Sequence, residues 1–246
     1  IIPRPFDPRL LTQLAPCVAL AAMESGVATR PIGDMPAYRE KLGQFIYRTG
    51  LVMKPVYDRA RADRQRVVYA EGEEETVLRA VQTVVDEGLA YPILIGRPDV
   101  IEMRIQRLGL RLREGEDFEV TNVNDDPRFN EYWRHYHALT ERRGVTPDAA
   151  KALLRSRTTL IAAIMVDRGE ADALITGLVG RFHKKLGYIR SVFPLDPGVQ
   201  STSAMTGVVN DRGLWFFVDT HVQPDPTPEQ IAESTIQAAY RLKLFG

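Results

Sequence analysis

The chain has 246 residues, of which 44% are hydrophobic and 26% charged, and its 32 basic residues are balanced by 32 acidic ones. This composition is typical of a globular protein with a substantial core, and the zero net charge argues against nucleic acid or a membrane surface as a general partner. No stretch approaches the about 18 consecutive apolar residues of a membrane-spanning helix, and a lone cysteine, Cys17, cannot form an internal disulfide, which together favour a cytoplasmic protein.

Residues 1 to about 60 are divided into short pieces by prolines. The pattern predicts a helix that begins at Asp7-Pro8 and stops at Gly26, and a second helix that begins at Asp34 or Met35 and ends near residue 47. A proline-rich helical arm with apolar faces usually packs onto another domain or subunit. Because the first residue is Ile1 rather than methionine, we expect the chain to be a segment of a longer protein.

From Asp63 onward, short apolar runs alternate with helical patterns. The predicted strands lie at residues 67–70, 91–96, 118–121 and 173–176, and the predicted helices at 73–88, 98–108, 128–143, 146–155 and 158–168. This alternation predicts an α/β fold with a doubly wound, mostly parallel sheet. A hairpin with strands at 203–209 and 214–218, then a helix at 229–244, complete the predicted elements.

Three predicted strand ends carry small or polar residues, namely Glu71-Gly72, Thr176-Gly177 and Asp219-Thr220. In an open α/β sheet, ligands bind beyond the carboxyl ends of the strands. Any one of these turns could be purely structural, because every strand-to-helix connection needs a turn. The three together favour one ligand-binding groove.

The densest cationic cluster follows the predicted strand at 173–176 and contains Arg181, His183, Lys184, Lys185 and Arg190. Such side chains beside a glycine turn could hold phosphate groups, and the alternative is a solvated helix face. The first three lie nearest the turn and are assigned to binding, whereas Lys185 and Arg190 stay open. The chain has neither zinc-type Cys/His spacing nor a dinucleotide or P-loop glycine pattern.

Three stretches resemble the markers of phosphate acetyltransferases and acyltransferases: VVYAEGEEETVLR at 67–79, ADALITG at 171–177 and FVDTHVQPDPTPEQIAE at 217–233. Residues 1–57 resemble the end of the catalytic part of bacterial malic enzymes. The combination is similar to hybrid NADP-dependent malic enzymes that carry an acetyltransferase-like domain. The resemblance implies that residues 1–60 belong to the catalytic region and that 61–246 form a phosphate acetyltransferase-like domain, incomplete at its C-terminus.

The resemblance also implies a regulatory role for this region, with acetyl-CoA as its ligand and a homo-oligomer as its assembly. The NADP site and the Mg or Mn ligands of the malic enzyme reaction would lie before Ile1. The candidate residues for binding acetyl-CoA or phosphate are the strand-end and cationic residues described above: Glu71, Gly72, Thr176, Gly177, Arg181, His183, Lys184, Asp219 and Thr220.

The family's acetyltransferases have an arginine-proline step where this chain has Gly187 and Tyr188, and an aspartate-cysteine pair where it has Asp219 and Thr220. These differences remove groups useful for acyl transfer, so no catalytic residue is assigned. An active phosphate acetyltransferase is the alternative, and a purely structural, oligomer-forming region is a third interpretation.

Overall fold

The structure, a computed structural model, describes residues 10–210, 212–219 and 221–243, and the side chains of all of these except 44–52. The chain divides into two compact units. One contains the residues up to Asp58 and those from Gly198 onward, and the other runs from Arg59 to Pro197. The assignment of 1–60 and 61–246 to separate domains stays a prediction.

Two helices precede the sheet. A π-helical turn, Leu10–Leu14, leads into α1, Ala15–Glu24, and α2 spans Met35–Ala62. Gly26 adopts a left-handed conformation with φ +73° just after α1, in agreement with the predicted stop, whereas the predicted start at Asp7-Pro8 lies outside the described residues.

The second helix is longer than predicted. Instead of ending near residue 47, α2 continues through Pro55 to Ala62. A proline inside a helix removes one backbone hydrogen bond and usually ends the helix, which is why the sequence pattern favoured an early stop. All 28 residues of this helix, Pro55 included, have helical conformation.

A four-stranded sheet forms the centre of the unit from Arg59 to Pro197, in the order β3-β2-β1-β4. Its strands are β1 (Gln65–Tyr69), β2 (Ala90–Gly96), β3 (Glu119–Asn122) and β4 (Ala173–Ile175). All three pairings are parallel, with Val68 opposite Ile93 on one side and opposite Leu174 on the other. The predicted α/β class with a mostly parallel sheet is confirmed.

Six helices of the same unit follow these strands or connect them. They are α3 (Glu75–Glu87), α4 (Pro98–Leu108), α5 (Phe129–Thr140), α6 (Pro147–Ser156), α7 (Thr158–Asp167) and α8 (Phe182–Val192), with a 3-10 turn at Glu141–Arg143. Local chemistry sets several ends: Gly88 and Gly109 are left-handed caps of α3 and α4, and the Thr146 hydroxyl accepts a hydrogen bond from the amide of Ala149 at the start of α6.

Both faces of the sheet are covered by helices. Val68 and Ile93 belong to one core with residues of α5, α6 and α7, and Tyr69 and Leu94 belong to a second core with residues of α3 and α4. Successive residues of a strand point to opposite faces, so each central strand contributes to both cores. In α7 every residue from Thr159 to Met165 is buried, which explains its unbroken apolar sequence.

The other unit contains a hairpin and a terminal helix. The strands β5 (Met205–Asn210) and β6 (Gly213–Val218) pair antiparallel, and α9 spans Pro228–Leu242. Thr227 and Gln230 form a capping box at the start of α9. Asp211 of the predicted turn and the predicted helix end at residue 244 lie outside the described residues.

A cluster of charged residues links the segment after β3 to the segment before β4. Arg128 lies 2.8 Å from Asp126 and 3.0 Å from Glu170, and Glu170 also accepts hydrogen bonds from Tyr132 and Arg168, each at 2.6 Å. Burial alone would raise the pKa of Asp126 and of Glu170. Hydrogen bonds from Arg128 to Asp126, and from Tyr132 and Arg168 to Glu170, outweigh burial, so both pKa values lie below their ordinary values.

This cluster predicts a loss of stability in acid. The ordinary pKa values are 3.8 for Asp126 and 4.5 for Glu170, and folding lowers both. Near and below these values the unfolded chain therefore binds more protons, so this contribution is complete above them and is lost as pH falls from them through the lower pKa values of the folded state. We expect urea unfolding free energies to decline below about pH 5, and Glu170→Gln to make this decline shallower. Parallel pH profiles for the parent and the variant would contradict the assignment.

Candidate functional site

The carboxyl ends of β1 and β4 lie side by side, and polar groups from both meet there. The amide of Ala70 donates to the carbonyl of Ile175 at 3.0 Å, which brings the two strand ends together. The Thr176 hydroxyl then donates to Oε1 of Glu71 at 3.0 Å, and the amide of Gly177 lies 3.2 Å from both carboxylate oxygens. Two of the three predicted strand ends therefore form one polar cluster.

Lys185 and Thr159 complete this cluster. The Lys185 ammonium donates to Oε1 of Glu71 at 2.7 Å and to Oγ1 of Thr159 at 3.0 Å, and the Thr159 and Thr176 hydroxyl oxygens are 3.0 Å apart. Because Thr176 uses its proton toward Glu71, Thr159 must donate to Thr176. A closed ring of hydrogen bonds thus connects the ends of β1 and β4 with α7 and α8. The Glu71 and Lys185 side chains are only 9% and 19% exposed.

Gly72 lies against the neighbouring strand. Its amide donates to the carbonyl of Ile95 at 3.1 Å. A Cβ at this position would lie 2.8 Å from Cβ of Leu94 and 2.9 Å from the backbone N and O of Ile95. Close approach of two backbones therefore accounts for the glycine. Ligand binding by Gly72 stays a prediction.

A second ion pair holds the turn after β1. Glu73 accepts hydrogen bonds from the amide and Nε of Arg97, each at 2.9 Å, and from its Nη2 at 2.8 Å. These hydrogen bonds from Arg97 hold the pKa of Glu73 below its usual value. Arg104 donates to the backbone carbonyl of Glu73. The turn that carries Glu71 is therefore fixed against the β2-α4 connection.

The predicted cations Arg181, His183 and Lys184 lie exposed at the start of α8. The amide of Lys184 donates to the carbonyl of Arg181 at 3.1 Å, and the His183 ring stands edge-on to Phe182 with 5.4 Å between the ring centroids. Among the residues that the structure describes, the side chains of Arg181 and Lys184 take part in no salt bridge. Their charges are therefore open to a ligand from solution.

The third predicted strand end belongs to the unit that contains the hairpin. Asp219 follows β6 with φ 53°, and its Oδ1 accepts a hydrogen bond from the amide of Val222 at 3.2 Å. Its Oδ2 is buried and has no hydrogen-bond partner in the described part of the chain. The convergence of this strand end with the other two stays a prediction, and Thr220 lies outside the described residues.

A pocket of about 220 Å³ lies beside Asp219, between the end of β6 and α9. Its lining is formed by Val218, Asp219, Pro226, Gln230, Ile231, Ser234 and Thr235.

Sequence reasoning left two members of the polar cluster unassigned. Lys185 shares a helix face with Ile189 and Val192, at spacings of four and seven residues, and Val192 is only 2% exposed. That spacing would have placed Lys185 toward the protein interior and Lys184 toward solvent. Thr159 has no comparable local pattern. It lies in the first turn of α7, and the other buried residues of that helix are apolar.

Within residues 10–210, 212–219 and 221–243, no group of three or more histidine, cysteine or acidic side chains is arranged to hold a metal ion. None of the helices in these same ranges combines the length and the apolar character that crossing a bilayer requires.

The parallel sheet, with helices on both faces and polar groups at its carboxyl edge, places the chain among the open α/β proteins. The chain superposes on the crystal structure of a phosphotransacetylase from Streptococcus pyogenes with a TM-score of 0.71, covering 79% of this chain and 58% of that chain at 21% identity. Residues 51–246 match the family described as phosphate acetyl/butaryl transferase. The chain belongs to this family.

Two relatives connect the chain with malic enzymes. It is 52% identical over its whole length to an NADP-dependent malic enzyme from Salmonella typhimurium and 49% identical to an NAD-dependent malic enzyme from Rhizobium meliloti. The chain spans 32% of the length of each relative. The resemblance to malic enzymes and to phosphate acetyltransferases is therefore confirmed.

Proposed function

We propose that this chain is the regulatory and assembly region of a malic enzyme, and that it binds acetyl-CoA without transferring the acetyl group. The observation that carries the proposal is the 52% identity to a malic enzyme across the whole chain, including the part that matches the acetyltransferase family. The parent reaction is then the oxidative decarboxylation of malate to pyruvate with NADP. NADP and Mg or Mn would bind to residues outside these 246.

The start of α8 supports acetyl-CoA as the ligand. Arg181 and Lys184 offer two exposed cationic groups, and Leu178, Val179 and Phe182 beside them are 51%, 49% and 43% exposed. Coenzyme A combines phosphate groups with apolar surface, so a site that mixes cations and apolar side chains suits it. The chain has equal numbers of acidic and basic residues, so this preference for anions is local.

The sequence supports binding without transfer. Gly187 and Tyr188 offer no cation where the resembling acetyltransferases have an arginine. In the polar cluster, Oε1 of Glu71 already accepts hydrogen bonds from Lys185, Thr176 and Gly177, so this oxygen is not available as a general base.

Removing both exposed cations tests the binding site. In the double variant Arg181→Ala/Lys184→Ala, we expect acetyl-CoA binding measured by calorimetry to weaken by about 1.5–3 kcal/mol for each charge-assisted hydrogen bond lost. Arg190→Ala is the matched control, because it removes an exposed charge from the last turn of the same helix. Unchanged affinity in the double variant, or an equal loss in the control, would place Arg181 and Lys184 on a solvated surface.

An active phosphate acetyltransferase is the second candidate function. Asp219 favours it, because its Oδ2 is buried and makes no hydrogen bond among the described residues, which leaves a lone pair free as a general base requires. This alternative predicts phosphate release from acetyl phosphate that depends on coenzyme A and is abolished by Asp219→Ala. Such turnover would replace the regulatory proposal.

A purely structural region is the third interpretation. It predicts that neither acetyl-CoA nor acetyl phosphate binds, while the chain still forms dimers or larger homo-oligomers in sedimentation experiments.

A further inference from the structure

Three hydrogen-bond donors from one short segment converge on a single point. They are the Thr176 hydroxyl, the Gly177 amide and the Lys185 ammonium, which we call the β4 cradle. The point on which they converge is the carboxylate of Glu71, which comes from the end of β1. The two carboxylate oxygens are thus surrounded by one cationic and two neutral donors. Proteins bind oxyanions with donor sets of this kind.

The β4 cradle has a support that does not depend on Glu71. Thr159, which is 1% exposed at the start of α7, accepts a hydrogen bond from Lys185 and shares one with Thr176. Two of the three donors are therefore held in place from behind. We expect these contacts to keep the β4 cradle assembled, with its charge unbalanced, when the Glu71 carboxylate is removed.

The β4 cradle is open on one side. Gly177 is exposed, and a Cβ built on it would meet nothing within 4 Å. Oε2 of Glu71 receives a hydrogen bond from the Gly177 amide alone among the described residues. An anion from solution can therefore approach the same amide that holds Glu71.

We propose that Glu71 is an internal anion that closes the β4 cradle, and that a carboxylate or phosphate group of a ligand binds there by displacing it. The exchange replaces one set of charge-assisted hydrogen bonds with an equivalent set, and the released carboxylate becomes solvated by water. The contact between Glu71 and Lys185 is thus autoinhibitory toward anions. This inference relies on the proposed function only for the expectation that the ligand carries such a group.

Rescue of a Glu71→Ala variant by small anions tests the inference in the 246-residue chain. We expect acetate or phosphate to raise the melting temperature of this variant saturably, by about 2–4 °C at several times the dissociation constant, relative to chloride at equal ionic strength. The parent should respond less at the same concentration, because Glu71 competes. The double variant Glu71→Ala/Lys185→Met should lose the response. Glu119→Ala removes a carboxylate from the exposed pair with Arg66 and controls for general salt effects.

A response of Glu71→Ala no larger than that of Glu119→Ala would overturn the inference. If Glu71→Ala does not fold, Glu71→Gln keeps the side-chain shape, and the measured quantity becomes the rate at which an amine-reactive reagent modifies Lys185. Saturable protection of Lys185 by phosphate in Glu71→Gln is the expected result, and an unchanged rate would refute the inference. Acetyl-CoA is absent from both tests, so failure here leaves the proposed function standing, and failure of acetyl-CoA binding leaves this inference standing.

Discussion

Replacing Lys185 with methionine is expected to lower the free energy of unfolding by about 3 kcal/mol, the low end of the range for breaking a buried ion pair. The cost arises because the Glu71 carboxylate, 9% exposed, loses the cation 2.7 Å away and keeps only the Thr176 hydroxyl and the Gly177 amide. Methionine retains most of the aliphatic length, so the loss reports the charge rather than a cavity. Urea unfolding followed by circular dichroism measures the difference.

Lys184→Met provides the matched control, since it makes the same chemical change one residue earlier in α8. Lys184 is exposed and has no salt bridge among the described residues, so its replacement should change the unfolding free energy by less than about 0.5 kcal/mol. Similar values for the two variants would mean that the pair of Lys185 with Glu71 adds nothing to stability.

Replacing Gly72 with alanine is expected to lower the free energy of unfolding by about 2–3 kcal/mol, as for overpacking in a tightly packed core. The added Cβ would lie 2.9 Å from the backbone N and O of Ile95 and 2.8 Å from Cβ of Leu94. Ile95 and Leu94 belong to the central strand β2, whose neighbours on both sides prevent it from moving away. Thermal and urea unfolding of the purified variant measure the effect.

Gly187→Ala is the control for this prediction and has the opposite expected sign. Gly187 lies inside α8 and a Cβ there would meet nothing within 4 Å, so alanine should raise stability by about 0.5–1 kcal/mol through its helix propensity. If both alanine variants shift stability in the same direction, the close approach of the β1-α3 turn to β2 does not explain why residue 72 is a glycine.

The regular elements of the sheet unit could be predicted because their determinants are local. Pro98 and Gly109 mark the two ends of α4, and Thr146 marks the start of α6. The main failure was the length of α2, where Pro55 predicted a break that the helix does not have. A proline destabilises the interior of a helix without excluding it. Whether the helix continues depends on whether its other interactions outweigh the lost backbone hydrogen bond.

The candidate site could be predicted in part. Glu71, Thr176 and Gly177 were assigned from their positions at strand ends, and the structure brings these three together. Thr176 and Gly177 donate their hydrogen bonds to Glu71, so the structure pairs the three residues with one another. That they line a ligand-binding groove stays a prediction. Sequence distance explains the omission of Lys185, which lies 114 residues from the carboxylate that it contacts.

The sequence by itself determined the α/β class, the order of strands and helices, and the residues at the ends of β1 and β4, because hydrophobic periodicity, glycine turns and helix caps act within a few residues. Only the tertiary structure decided that β4 lies beside β1 and that the inward-facing Lys185 meets the carboxylate of Glu71. The reason is that the position of α8 against α7 and the strand ends sets which partner an inward-facing side chain of α8 contacts. That position results from contacts between residues distant in the chain, which no local pattern records.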